Sequence, residues 1–234
     1  MKYVLKRHPR RPIIIEGFPG YGLVGSIATT YLIDHLDMEP IGSFYTDKVP
    51  AVATIHKSRL MSPFGLYYSK DLNLLVANII VASKEVEWPY ANSMIKLASE
   101  LNAKRIISIE GVNSPNPQGR VYVYTNSKDE LEQLRKKGMN IMQEAMIVGP
   151  TAALMLLSHN TPIIGFFAET NIGIPDSRAA AEAIKAIDKY LGLKIDYKPL
   201  LKQAEIFEKS LRELIDKASR AQEEKEKKRL DYFG

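Results

Sequence analysis

Short runs of β-branched and other apolar residues alternate with longer stretches of helical composition along most of this 234-residue chain. Residues 12–16 (PIIIE) predict a buried strand, and a glycine-rich turn and a helix over residues 23–35 follow it. Residues 105–111 (RIISIEG) predict a central strand in the same way. Because parallel strands are joined by crossovers, usually helices, this alternation predicts an α/β fold with a mostly parallel sheet covered by helices.

The region between residues 41 and 81 departs from that alternation. Its apolar runs IGSFY, AVATI, FGLYY and NLLVANIIV are separated by polar breaks short enough for hairpins, so some antiparallel pairing is expected. The remaining elements follow from apolar periodicity and turn signals. They are helices over 88–102, 128–137, 150–158 and 176–191, the last with Asp176 as N-cap, strands over 121–125, 140–147 and 163–169, and an exposed loop over 114–119.

The chain beyond residue 197 has a different pattern. Apolar residues spaced alternately by four and three predict one seam on a helix over residues 199–229, about 45 Å long at 1.5 Å per residue. The seam fades to alanine and then to a charged run, so packing should end near Ala221 and the rest should be mobile. We therefore divide the chain into an α/β domain, residues 1–197, and an amphipathic helix with a mobile tail, residues 198–234.

Composition excludes several classes of function. The chain has no cysteine, which rules out disulfides and thiolate catalysis and is typical of a reducing, cytoplasmic compartment. A short N-terminal arm accounts for the net charge of +5, through Lys2, Lys6, Arg7, Arg10 and Arg11. The body is neutral, which does not favour nucleic-acid binding, and the apolar run after the arm is far too short to cross a membrane. We expect neither nucleic acid nor a membrane as a partner.

The glycine-rich turn contains a literal G-x-G-x-x-G, Gly20 to Gly25, between a predicted strand and a predicted helix. That context is typical of a dinucleotide site. Against this, residues 17–19 separate the strand from the first fingerprint glycine, and no acid is well placed to bind a ribose at the end of the second strand. We favour a structural role, in which the glycines at 17, 20, 22 and 25 allow a tight turn and close packing of the helix. An anion or nucleotide site is the alternative.

Two sets of large apolar side chains are candidates for an oligomer or partner surface. Phe18 and Tyr21 are expected on an exposed turn, where aromatic rings suit a protein contact. The C-terminal seam needs a surface to cover its larger members, which are Leu200, Phe207, Leu211 and Leu214. Both features predict a homo-oligomer.

The sequence offers little catalytic chemistry. The four histidines, at 8, 35, 56 and 159, lack the spacing of a metal site. Glu110 and Glu169 stand at the ends of predicted strands, where α/β sites usually form, and could act as acid and base. We favour a structural alternative, in which Glu169 and Asp176 accept backbone hydrogen bonds that stabilise the turn into the last helix. No catalytic residue, metal or cofactor is therefore expected.

Two separated motifs resemble a known family. Residues 17–25, GFPGYGLVG, are similar to the N-terminal signature of the proteasome assembly chaperone 2 family, and residues 168–181 are similar to its late signature. The resemblance covers about residues 12–192. It implies a fold similar to nucleoside phosphorylases without their catalytic role, a homo-oligomer such as a tetramer or pentamer, and a role as assembly chaperone or ATP-independent activator at the proteasome α-ring. The alternative is a nucleotide- or nucleoside-binding enzyme related to nucleoside phosphorylases, with Arg178 as its phosphate-binding candidate.

The sequence ends in Tyr232-Phe233-Gly234 after a charged segment. Proteasome activators have a similar tail of a hydrophobic residue, a tyrosine and any residue, although phenylalanine occupies the penultimate place here. The resemblance implies that these three residues bind proteasome α subunits. Physically, two aromatic rings can fill a pocket while a terminal carboxylate pairs with a lysine. Several tails on one oligomer would then raise the affinity through effective concentration.

Overall fold

The computed structural model describes residues 1–49, 53–56, 58–81, 83–171 and 174–202 of the chain. Most of the predicted C-terminal helix therefore lies outside the described residues. So do six residues singled out from the sequence, which are Phe207, Leu211, Leu214, Tyr232, Phe233 and Gly234.

Eleven strands form a nine-stranded sheet and a small hairpin in the described part of the chain. The strands are β1 (Lys2–Leu5), β2 (Ile13–Gly17), β3 (Glu39–Tyr45), β4 (Thr54–His56), β5 (Arg59–Met61), β6 (Phe64–Ser69), β7 (Leu74–Ile79), β8 (Arg105–Asn113), β9 (Val121–Thr125), β10 (Asn140–Ile141) and β11 (Ile163–Thr170). The large sheet has the order β1-β3-β6-β7-β2-β8-β11-β9-β10, and β4 pairs with β5 separately. Strands β2 and β8 therefore lie near the centre of the large sheet.

The sheet is mixed, so the prediction of a mostly parallel sheet was wrong. Strands β7, β2, β8 and β11 run parallel at its centre. Among the described strands, however, four of the eight pairings in the large sheet are antiparallel. The connection between β6 and β7 spans residues 70–73, which is too short for a crossover and forces an antiparallel pair. The antiparallel pairing expected between residues 41 and 81 is confirmed.

Helices cover both faces of the sheet, as the sequence predicts. They are α1 (Val24–His35), α2 (Glu87–Glu100), α3 (Lys128–Lys136), α4 (Pro150–Leu157) and α5 (Ser177–Leu191). Helices α1 and α5 contact each other over one face, and α2 and α4 contact each other over the opposite face. Alternation along β2 places Ile15 in the first core and Ile14 in the second. We call these two sides the α1/α5 face and the α2/α4 face.

Most predicted boundaries agree with the observed elements within one or two residues, with one exception. The strand predicted over residues 140–147 ends at Ile141. Among the described strands, β10 lies at the edge of the sheet and pairs with β9 alone. Beyond it, Met146 is 90% exposed and Val148 is 57% exposed. The apolar residues that predicted a strand beyond Ile141 are therefore not part of the sheet. The predicted N-cap of α5 is confirmed, because the Asp176 carboxylate accepts a hydrogen bond from the backbone N–H of Ala179 at 2.8 Å.

The chain remains packed on the body after residue 197. Residues 198–202 are helical, and Leu200 is only 3% exposed because it joins the core of the α1/α5 face. Its predicted place on an oligomer or partner surface was therefore wrong, since the body of the same chain covers its side chain. The predicted division at residue 197 does not coincide with a break in core packing.

Helix α1 approaches the sheet at the backbone-to-backbone distance that only glycine allows. A Cβ atom on Gly25 would lie 2.4 Å from the carbonyl oxygen of Ile109 in β8, and one on Gly17 would lie 2.2 Å from the carbonyl oxygen of Gly25. A Cβ atom on Gly20, in the same turn, would meet the side chain of Glu110, with Oε1 nearest at 3.3 Å. The close packing of α1 on β2 and β8 therefore depends on Gly17 and Gly25 far more than on Gly20.

We predict that Gly25→Ala lowers the free energy of unfolding by about 3 kcal/mol, because two backbone segments must separate to admit the methyl group. Gly20→Ala is the matched control and should cost less than about 1 kcal/mol, since the end of a flexible side chain can move away. Urea denaturation of the two variants and the parent chain measures both values. Equal stability of the two variants would contradict the packing described here.

Candidate functional site

A cavity of about 390 Å³ opens at the carboxyl ends of β2 and β8, on the α2/α4 face. Residues 18–21 of the glycine-rich turn form one wall. Ser83, Lys84 and Glu87 before and at the start of α2 form a second, and residues 148–150 leading into α4 form a third. Glu110 of β8 also lines the cavity. Open α/β sheets commonly bind ligands at this end of their parallel strands.

Two carboxyl groups, one fully buried and one partly buried, lie at this end of the sheet. Glu16 of β2 is opposite Ser108 of β8, so alternation along β8 places Glu110 on the same face as Ser108. Glu16 is fully buried, and its oxygen Oε2 accepts a hydrogen bond from the hydroxyl of Tyr90 at 3.4 Å. The hydroxyls of Ser108 and Thr151 are 2.9 Å apart. Strand β2, strand β8, α2 and α4 thus each contribute a polar side chain to one buried cluster.

Both carboxyl groups in this cluster hold their protons more tightly than usual. Burial raises the pKa of Glu16 to about 7, and the nearby charge of Glu110 adds to the effect, while hydrogen bonds from Ser108 and Tyr90 oppose it. Burial also raises the pKa of Glu110 to about 7, and a hydrogen bond from Thr151 opposes the rise. Oxygen Oε1 of Glu16 and Oε2 of Glu110 are buried and have no hydrogen-bond partner among the described residues. The cluster is therefore short of hydrogen-bond donors when its carboxyl groups are ionised, and a proton on either group supplies one.

The glycine-rich turn places its two aromatic residues differently. Phe18 is only 5% exposed, and its ring packs edge-on against that of Tyr90 with 5.3 Å between centroids. The prediction that Phe18 is exposed was wrong, because the alternation that starts at Ile14 and Glu16 continues through Phe18 toward the α2/α4 face. Tyr21 is 43% exposed beside the cavity, so its contact with a partner stays a prediction.

The two motifs that resemble family signatures contact each other in the fold. Gly22 has φ of 61°, and a Cβ atom there would lie 2.4 Å from Oγ1 of Thr170. The carbonyl oxygen of Gly22 accepts a hydrogen bond from the backbone N–H of Asp176 at 2.8 Å. The Asp176 carboxylate in turn accepts one from the hydroxyl of Thr170, also at 2.8 Å. The turn after β2 and the turn after β11 are therefore one connected unit.

Glu169 accepts backbone hydrogen bonds, as we expected, but from the loop before β9 and not from the turn into α5. Its carboxylate accepts hydrogen bonds from the backbone N–H groups of Gln118 at 2.8 Å and Arg120 at 3.3 Å, and from Nε of Arg120 at 3.0 Å. Burial raises the pKa of Glu169, but the bonds from Arg120 and Gln118 outweigh it, and the pKa falls below its ordinary value. Glu169 thus fixes the end of the loop at Gln118 and Arg120, and Asp176 stabilises the start of α5. Glu110 lines the cavity without Glu169, so the cavity does not unite the predicted acid–base pair.

The described residues contain no group of three or more histidine, aspartate or glutamate side chains that could hold a metal ion. No helix among them is both long enough and apolar enough to cross a membrane.

Comparison with known proteins establishes the family. The PAC2 family matches residues 14–215, and the chain belongs to this family. An uncharacterized protein of Methanocaldococcus jannaschii is 32% identical over 221 residues, which cover 92% of this chain and 91% of that protein. The resemblance seen in residues 17–25 and 168–181 is confirmed. The match extends well beyond residue 192, where the sequence motifs placed its end.

Solved structures identify similar archaeal proteins. PbaA of Pyrococcus furiosus, an archaeal homolog of proteasome-assembly chaperone, is 29% identical with a TM-score of 0.83, over 94% of this chain and 99% of that one. PbaB of the same organism, an archaeal proteasome activator, is 26% identical with a TM-score of 0.77, over 91% of this chain and 98% of that one. The chain is thus similar over nearly its whole length to one chaperone homolog and one activator.

The raised pKa values of Glu16 and Glu110 predict how the stability of the protein depends on pH. Their folded-state pKa of about 7 exceeds the ordinary value of 4.5. The stability that each protonated group adds to the folded protein is therefore fully present below about pH 4.5. It is lost as the pH rises through about 7, which lowers the free energy of unfolding by up to about 3 kcal/mol for each group. We expect Glu16→Gln to reduce the loss of stability between pH 5 and pH 8. Urea midpoints at the two pH values measure it, with the exposed Glu144→Gln as control. An unchanged pH dependence in Glu16→Gln would contradict the assignment.

Proposed function

We propose that this chain is a cytoplasmic, non-enzymatic proteasome assembly chaperone or ATP-independent activator that acts on the α-ring of the proteasome core. The observation that supports this most is its similarity to PbaA and PbaB over almost the full length of all three chains. A similarity that spans the whole fold supports a shared mode of action better than one confined to a ligand site, although fold alone does not imply function.

We propose that Tyr232, Phe233 and Gly234 make the contact with the α subunits. The charged run over residues 223–229 would keep this end away from the body. Tyr232 and Phe233 would supply most of the buried apolar area, because aromatic anchors dominate small interfaces. One such tail is a weak ligand, so useful affinity requires several tails on one particle.

Assembly into a homo-oligomer, a tetramer or pentamer, is part of the same proposal. The described body exposes large apolar side chains that its own core does not cover, among them Tyr21, Trp88 and Leu156. Exposed apolar groups of this size on neighbouring segments are typical of surfaces that meet a partner. An oligomer would cover such a surface and present several tails to one α-ring.

A nucleoside- or nucleotide-binding enzyme is the second candidate, and the cavity beside Glu110 is the observation that favours it. Phosphate recognition usually needs arginine or several convergent backbone donors. Among the described residues that line the cavity, Lys84 supplies the positive charge and no arginine is present. Arg178 is the second residue of α5, on the α1/α5 face, and does not line the cavity.

We predict that NAD, FAD, ATP, or a nucleoside with phosphate leaves the melting temperature of the full chain unchanged. Only a ligand that binds the native state stabilises it, and the cavity lacks a cluster of positive charge. Thermal unfolding across a concentration series measures the effect. A rise that increases with the concentration of any of these ligands would favour the enzyme.

Deleting residues 232–234 is expected to weaken binding to isolated α-rings at least about tenfold while leaving fold and oligomeric state intact. Phe233→Ala should behave nearly the same way, because the aromatic anchor is lost at every copy. Phe233→Tyr is the matched conservative variant and should bind as well as the parent or better. Co-sedimentation at fixed salt concentration measures all three. Undiminished binding by the truncated chain would place the contact on the body, where Tyr21→Ala would then be the variant to test.

A further inference from the structure

The cavity at the carboxyl ends of β2 and β8 plays no part in the proposed contact with the α-ring. Its volume, about 390 Å³, lies in the range of sites for small organic molecules. Pro19, Tyr21, Val148 and Pro150 give it largely apolar walls. Glu110 is the acid that joins this cavity to the buried cluster behind it. An apolar chamber with one charged group at its base favours a ligand with an apolar body and one polar head.

The polar head must donate hydrogen bonds. Oxygen Oε2 of Glu110 lacks a partner among the described residues, and so does Oε1 of the fully buried Glu16 behind it. A buried acceptor without a donor costs free energy in the empty protein. A ligand in the cavity with N–H groups would supply donors to the ionised carboxylate of Glu110, whereas a carboxylate or phosphate would add further acceptors.

The charges around the cavity also favour a cation. Glu110 lines it and Glu16 lies behind, while the mouth carries the opposite charges Lys84 and Glu87. Helix N-termini usually attract anions, but two features weaken that attraction here. The 3₁₀ turn that leads into α2 and the first turn of α2 itself each contain an acidic residue. Helix α4 begins with Pro150, which has no N–H to donate.

We propose that this cavity binds a small organic cation, an amidinium or amine on an apolar body, whose N–H groups pair with the carboxylate of Glu110. The apolar body lies against the walls formed by Pro19, Tyr21 and Val148. An amidinium or guanidinium is favoured because its charge-assisted N–H donors make stronger hydrogen bonds to a carboxylate than neutral donors do. This inference does not depend on the proposed role at the α-ring.

Binding of such a cation is coupled to a proton. Burial raises the pKa of Glu110 to about 7, so the group must lose a proton before it pairs with a cation. Glu16 titrates beside it, and the other ionisable groups around the pair and the cavity are Tyr21, Tyr90, Lys84 and Glu87. Affinity therefore rises between pH 6 and pH 8, and binding releases protons in that range.

Benzamidine is the probe, and benzamide and benzoate are its neutral and anionic analogues of the same shape. We expect benzamidine to raise the melting temperature of the full chain in a concentration-dependent way, more at pH 8 than at pH 6. Benzamide should bind at least about tenfold more weakly, and benzoate should not bind. Equal binding of the three compounds, or preferred binding of benzoate or inorganic phosphate, would overturn the proposal.

Two pairs of variants locate the site. Glu110→Gln should weaken benzamidine binding at least about tenfold, whereas Glu144→Gln, with the same change in net charge at an exposed position, should not. Val148→Trp should block the cavity from its exposed rim, and Met146→Trp is its control outside the cavity. This second pair alters exposed positions, so it tests the site even if Glu110→Gln fails to fold. Unchanged binding in Val148→Trp and in a folded Glu110→Gln would contradict the proposal.

Discussion

The approach of Gly25 to the backbone of β8 is the contact on which the site depends. Since no side chain separates α1 from β2 and β8 at this point, the turn between Gly17 and Gly25 is drawn across the carboxyl ends of both strands. Farther along β8, a Cβ atom on Gly111 would lie 2.1 Å from the carbonyl oxygen of Tyr21. This tight crossing places Phe18 against α2, Gly20 against Glu110 and Gly22 against Thr170.

Much of the fold could be predicted from the sequence because its signals are local. The order of strands and helices, the antiparallel region and the Asp176 cap each depend on a few neighbouring residues. The combination of a parallel centre with an antiparallel pair on either side of it depends instead on which strands pair. In particular, β9 pairs antiparallel with β11, even though α3, β10 and α4 separate the two strands in the chain. No local pattern specifies that pairing.

The candidate site shows the same limit. Glu110 was recognised from its position at a strand end, but its buried neighbour Glu16 was not. A signal was present, since an acidic residue that closes the apolar run PIIIE must be either exposed or specially paired. Its relation to Glu110 needed the register between β2 and β8. The partner of Glu169 likewise came from a loop some fifty residues away in sequence, which sequence reasoning had no means to identify. Paired acids with raised pKa values are common at functional sites, and here they lie beside a cavity that the chaperone role does not use.

The central claim, that this PAC2 protein acts on the proteasome α-ring, can be tested directly by measuring what it does to proteasome particles. The yield of α-rings assembled from free α subunits and the rate of peptide hydrolysis by mature core particles would be compared with and without the full chain, in the absence of ATP. An assembly chaperone raises the yield of rings, and an activator raises the rate of hydrolysis. The account predicts that one of the two increases as the chain is added; if both stay unchanged at saturating concentration, the account is contradicted.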